Sequence, residues 1–135
     1  MPVSIWVRAD LVTAAKRASA QAYAPYSKFK VGAAVFTKEN RIFSGCNVEN
    51  ASYGLTCCAE RAAVFQAVLN GATGIFAVLV YTPTQKATSP CGACRQVLNE
   101  FGPDADVISV CDSDHEIHST VGELLPQAFG PHNLL

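Results

Sequence analysis

Two short segments carry residue types from which a metal centre can be built. The first is Pro90-Cys91-Gly92-Ala93-Cys94. Two thiolates at this spacing, at the start of a helix, can both reach one ion. The N–H groups of a helix N-terminus also favour the thiolate form. The second segment is Cys57-Cys58-Ala59-Glu60-Arg61, also read as a helix start. One thiolate from it completes a set of three. Three protein ligands leave a fourth tetrahedral position for water, which separates a catalytic zinc from a structural one. Zinc lowers the pKa of that water from about 15.7 to about 7. Glu60 lies within one turn of Cys58, so its carboxylate can reach the water and accept and return protons.

The same residues admit plainer readings. Cys-x-x-Cys also suits redox chemistry. Cys57 and Cys58 suit a core as small apolar side chains, with Glu60 then exposed on its helix. A structural four-thiolate site would take its fourth sulfur from Cys46, Cys57 or Cys111. A zinc dication held by three thiolates carries excess negative charge, and donors around the sulfurs tune both metal and water. Arg61 follows Glu60 and Arg95 follows Cys94. Arg61 is the candidate for screening the sulfurs, and ordinary surface ion pairing is the alternative for both. His115, His118 and His132 lie outside these motifs and form no His-x-x-x-His pair, so they are not expected to be ligands. His115, just after a turn aspartate, is expected at the surface.

These residues need elements to hold them. Helical spacing of apolar residues predicts a helix over Arg8–Tyr23, with Trp6 packing beside it. Val31–Thr37 and Ile42–Val48 read as strands joined by a turn at Lys38–Arg41. Asn50–Thr56 reads as a loop. Cys58–Leu69, rich in alanine and closed by Asn70-Gly71, reads as a buried helix. Ile75–Tyr81 is a continuous apolar run, as for a strand covered on both faces. A loop over Thr82–Pro90 precedes a helix over Gly92–Phe101. Val107–Cys111 and Glu116–Ser119 read as strands, and Val121–Leu125 as a short helix. Helices and strands alternating in this way predict an α/β fold, a partly parallel sheet with helices on both faces.

Composition limits the function classes. The chain has 135 residues, and a single domain spanning 1–135 is expected. The net charge is −1, which argues against gripping phosphate backbones, since that rests on clustered positive charge. No apolar run approaches the ~20 residues needed to span a bilayer. The opening residues lack a basic stretch followed by an apolar one, so a cytoplasmic, thiol-reducing location is expected. Charged residues are 16% of the chain, below the typical level of about 25%. So few charges predict a surface partly covered by another subunit.

Cys58-Ala59-Glu60 together with Pro90-Cys91-Gly92-Ala93-Cys94 resembles the zinc nucleobase-deaminase signature, with cysteine where many such enzymes have histidine. Tyr26-Ser27-Lys28-Phe29-Lys30-Val31-Gly32-Ala33-Ala34, the run from Cys46 to Gly54, and Arg95-Gln96-Val97 after the second cysteine pair resemble the small, homotetrameric cytidine deaminases. The stretch from Gly122 to Pro131 is similar too. The resemblance implies a three-layer α-β-α sandwich with a five-stranded mixed sheet. It implies one zinc ion per subunit held by Cys58, Cys91 and Cys94, with Glu60 as proton shuttle. Cys57 is not a ligand in that pattern. The implied reaction is hydrolytic deamination of cytidine and deoxycytidine to uridine and deoxyuridine, by zinc-activated hydroxide attack on C4, in pyrimidine salvage.

The resemblance also implies substrate contacts. Asn47 and Glu49 bind the ribose 3′-hydroxyl. Side chains two apart on a strand face the same way, so both could grip one ring. Phe29 packs on the base. Ala51 and Tyr53 reach a neighbouring subunit's site near the 5′-hydroxyl. The Ala59 N–H and the Ser89 carbonyl orient the pyrimidine edge. Phe129 closes over the base from another subunit, so active sites are shared within a homotetramer. No nucleic acid and no membrane partner is implied. Deamination of a cytosine-containing antibiotic such as blasticidin shares the zinc chemistry, but the ribose-binding run favours the nucleoside. Polynucleotide editing would need basic or aromatic-interleaved tracts that the chain lacks. A structural zinc module without activity and a thiol oxidoreductase are the remaining alternatives.

Overall fold

The computed structural model describes residues 3–135; Met1 and Pro2, part of the opening stretch considered above, lie outside them. Helix α1 runs over Ile5–Ala20. It begins before Arg8 because the Ser4 hydroxyl accepts the Val7 N–H at 3.3 Å and caps the first turn. Leu11, Ala15 and Ser19 are its buried stripe. Trp6 is 78% exposed on the helix surface, contrary to the expected packing role. Strand β1, Gly32–Thr37, turns at Lys38–Arg41 into β2, Ile42–Cys46. Asn40 takes a left-handed conformation in that turn, which asparagine tolerates. Helix α2 is Ala59–Leu69, β3 is Ile75–Tyr81, α3 is Gly92–Phe101 and β4 is Asp106–Val110. Strand β5, Ile117–Thr120, leads directly into the short α4, Val121–Leu124. Single 3-10 turns sit at Tyr53–Leu55 and Pro131–Asn133.

The five strands form one mixed sheet in the order β2-β1-β3-β4-β5. Only β3 and β4 run parallel, and α3 crosses between them. The central β3 is buried on both faces, as its unbroken apolar run predicts. Alternate side chains divide the core in two. Ala77, Leu79 and Tyr81 meet Leu11 and Ala15 of α1 on one face. Val78 and Val80 meet Ala63, Val64 and Leu98 of α2 and α3 on the other. The predicted three layers are therefore present. Among the described residues no helix is long and apolar enough to cross a membrane.

Two glycines let helices approach the hairpin closely. A Cβ on Gly32 would lie 1.8 Å from the Ala15 carbonyl oxygen of α1. A Cβ on Gly45 would lie 2.4 Å from the Ala63 nitrogen and 2.8 Å from the Ala59 oxygen of α2. Those are backbone atoms, so no side chain can swing away. Gly45→Ala should therefore push out the helix that carries Glu60. The expected cost is about 1–3 kcal/mol, the usual range for overpacking, read as a lowered denaturant midpoint. An unchanged midpoint would show that α2 can shift without loss.

Helix α2 is not buried all round. Ala59, Glu60, Ala63, Val64 and Ala67 face the core, whereas Phe65, Val68 and Leu69 are 52%, 43% and 85% exposed. The alanine-rich sequence predicts a helix buried on every side. Within one chain, an apolar outer face remains open.

Candidate active site

The N-termini of α2 and α3 converge. Cys58 caps α2 and Cys91 caps α3, each with an extended backbone, and Cys94 lies in the first turn of α3. Their three sulfurs all lie within 4.8 Å of one another. The Cys58 and Cys91 sulfurs are 3.8 Å apart. Among the described residues this is the group of sulfur, imidazole or carboxylate ligands positioned to share an ion. Cys46, Cys57 and Cys111 are outside it, and all six cysteines are free thiols. Nothing here supplies the fourth sulfur of a structural zinc site, and no disulfide joins Cys91 to Cys94.

The charge state of the trio shows what it suits. The hydrogen bond from Cys94, helped by Arg61, holds the Cys58 thiol well below its usual range. The same contact, followed by burial, pushes Cys94 up. A dication reverses this, because thiolate ligands deprotonate on binding. An all-sulfur donor set this closely grouped fits zinc.

Arg61 and Arg95 do different work. Arg61 Nη2 donates to the Cys58 sulfur at 3.4 Å and to the Thr56 carbonyl at 3.3 Å. Hydrogen bonding to Cys58 stabilises its cationic form. Arg95 reaches no sulfur. Its guanidinium donates to the carbonyls of Pro90 and Leu124 and to the Ser89 hydroxyl, at 2.8, 3.0 and 3.0 Å. It ties the loop before α3 to the end of α4. Among the described residues neither arginine forms a surface ion pair. Cys57 is half-buried, and burial pushes its thiol up, in keeping with a packing residue.

A mostly apolar cavity of about 170 Å³ opens beside the sulfurs. Phe29, Asn47, Cys58, Ala59, Glu60, Ser89 and Cys91 all line it. Glu60 is only 6% exposed, in the first turn of α2. Burial raises the pKa of its carboxyl. Val31, Thr56, Val80, Thr82 and Thr88 complete the wall. Sequence reasoning singles out none of these as a site residue, because threonines and valines in loops and strands carry no chemistry that marks them.

A second cavity of about 290 Å³ is lined by Tyr26, Ser27, Glu49 and Tyr53 and shares Thr56 with the first. The expectation that Asn47 and Glu49 share a strand face is corrected here. Strand β2 ends at Cys46, and the Asn47 side chain turns inward. Its Oδ1 accepts the Val31 N–H at 2.8 Å and its Nδ2 donates to the Phe29 carbonyl at 2.7 Å. Asn47 thus frames the Phe29–Val31 segment at the first cavity. Glu49 faces the second, where it accepts the N–H groups of Tyr26 and Ser27, at 2.9 and 3.2 Å, and the Ser27 hydroxyl. The Ser27 hydroxyl, followed by these amides, holds the Glu49 carboxyl below the usual carboxylate range.

Three expected contacts stand away from the first cavity within one chain. Ala51 is exposed in its loop. Tyr53 is 73% exposed and packs on Tyr26, with ring centroids 5.7 Å apart. Phe129 is 59% exposed beside Gln127 and His132. Its carbonyl is held by Gln96 Nε2 at 2.8 Å.

Residues 7–111 match the family model described as the cytidine and deoxycytidylate deaminase zinc-binding region. The chain belongs to that deaminase family. A cytidine deaminase of Sporosarcina psychrophila is 44% identical over 125 residues, covering 92% of each chain. One from Halalkalibacterium halodurans is 45% identical, covering 90% of this chain and 93% of its own. The crystal structure of cytidine deaminase from Burkholderia pseudomallei is 48% identical and superposes with a TM-score of 0.85, covering 90% of this chain and 98% of that one. The deaminase family is zinc-binding, which agrees with the three-sulfur group.

Proposed function

We propose that this deaminase hydrolyses cytidine and deoxycytidine to uridine and deoxyuridine, releasing ammonia. The observation that carries the reading is the convergence of three cysteine sulfurs and a buried carboxylate on one small apolar cavity. Relatives of this length named as cytidine deaminases support the substrate.

Cys58, Cys91 and Cys94 would hold the zinc ion. When bound, zinc supplies a Lewis acid that makes water nucleophilic at neutral pH. Glu60 moves the protons. It takes one from the attacking water as the C4–O bond forms, and delivers it to N3. It then carries the second water proton to the 4-amino group. The C4–N bond breaks, ammonia leaves with both electrons of that bond, and a carbonyl remains at C4. Phe29 packs the flat base, and the Ala59 N–H and Ser89 carbonyl orient its edge. Asn47 and Glu49 serve the sugar hydroxyls. The deciding assay is ammonia release and the ultraviolet change with cytidine, with zinc quantified in the same sample. Turnover with about one zinc per chain supports the reading; zinc without turnover on either nucleoside overturns it.

Residues 1–135 act as one catalytic domain in this reading, in a cytoplasmic setting that keeps the thiols reduced. The working unit is a homotetramer. The exposed apolar face of α2 and the outward Phe129 and Tyr53 support it. Light scattering should return four chains per particle. Phe129→Ala should lower kcat/KM while leaving zinc content intact. A fully active monomer would contradict both statements.

A further inference from the structure

The loop between β3 and α3 brings Thr88 and Ser89 to the first cavity. It has no regular structure of its own, so something else must hold it. The segment after β4 does this with three hydrogen bonds in sequence. The Asp112 N–H donates to the Thr84 carbonyl at 2.8 Å, and the Ser113 hydroxyl donates to the Gln85 carbonyl at 2.6 Å. The Ala87 N–H then donates to Nδ1 of His115 at 2.9 Å. Among the described residues, His115 alone reaches Lys86, Ala87 or Thr88 by a hydrogen bond from outside the loop. Arg95 grips the far side through Ser89 and Pro90.

His115 is itself anchored. The buried Cys111 thiol donates to its carbonyl at 3.3 Å, and its N–H donates to the Ser113 hydroxyl at 3.1 Å. An imidazole that accepts at Nδ1 carries its proton on Nε2. His115 lies at the surface, as expected, and these hydrogen bonds give it a defined place there.

We propose that His115 is a positioning residue: by accepting the Ala87 N–H it fixes the loop that presents Thr88 and Ser89 to the cavity. Its kinetic consequence rests on the deaminase reading above; its structural consequence does not. The test compares His115→Ala and His115→Asn in the full, zinc-loaded chain. An asparagine Oδ1 can accept where Nδ1 did. The alanine variant should raise KM for cytidine about fivefold, the order of one lost hydrogen bond, with kcat within about twofold. The asparagine variant should restore KM. Hydrogen exchange at the Ala87 to Ser89 amides should speed up in the alanine variant and return with asparagine. Unchanged exchange in the alanine variant overturns the proposal, as does an unchanged KM in an active enzyme. Faster exchange in the alanine variant, with an unaltered zinc-loaded parent that releases no ammonia from cytidine, upholds the loop contact and overturns the deaminase reading instead.

Discussion

Glu60→Gln should reduce cytidine turnover by more than the ~10²–10⁴-fold typical of one general acid–base residue. The same carboxylate takes the two protons of the attacking water in turn, delivering the first to N3 and the second to the 4-amino group, so each transfer loses its carrier. Glutamine keeps the volume and the hydrogen-bonding shape but cannot accept a proton. The position favours a clean result. Glu60 is 6% exposed on the cavity wall, and none of the three converging sulfurs belongs to it. Zinc content and thermal midpoint should therefore stay close to those of the parent protein. Near-normal turnover would sink the shuttle role. Loss of zinc along with activity would show that Glu60 supports the metal site rather than carrying protons.

Much of this site is legible in the sequence because its parts are local. A cysteine pair at the head of a helix is a property of a few consecutive residues. Cys91, Cys94 and the bounds of α3 follow from Gly92 onward without tertiary information. Strand β3 is legible for the same kind of reason, since a run with no polar face can only be buried on both sides. What fails is whatever depends on contacts distant in sequence. Strand β2 stops at Cys46 because the Asn47 side chain satisfies backbone groups of Phe29 and Val31, eighteen and sixteen residues away. No pattern around Asn47 announces that. Trp6 reads as packing by type alone, yet the cap at Ser4 starts the helix in a phase that leaves it outside. Thr56, Thr82 and Thr88 reach the cavity from loop positions and strand ends. His115 gains its contact only when the segments after β3 and β4 run side by side.

Arg61 and Arg95 look alike in sequence, each just after a cysteine or glutamate of the motif, and the structure gives them separate consequences. Arg61→Gln should weaken zinc affinity by roughly 10–100-fold, the usual effect of removing a partner to a metal ligand. Turnover should fall with zinc occupancy. The reason is charge. Three thiolates exceed what one dication neutralises, and the Arg61 guanidinium at 3.4 Å from the Cys58 sulfur is the cation in contact with them. Glutamine can still donate a hydrogen bond but brings no charge. Arg95→Gln should leave zinc affinity nearly unchanged, because Arg95 hydrogen-bonds oxygens of the loop before α3 and of the end of α4 and no sulfur. Its loss should appear in KM, through the loop carrying Ser89. Chelator competition on both variants, read as zinc per chain, separates the two. Equal zinc affinity in the two variants would leave the guanidinium–sulfur contact without a role in holding the metal. A larger loss in Arg95→Gln would move the requirement to the loop, which would then have to hold Cys91 in place.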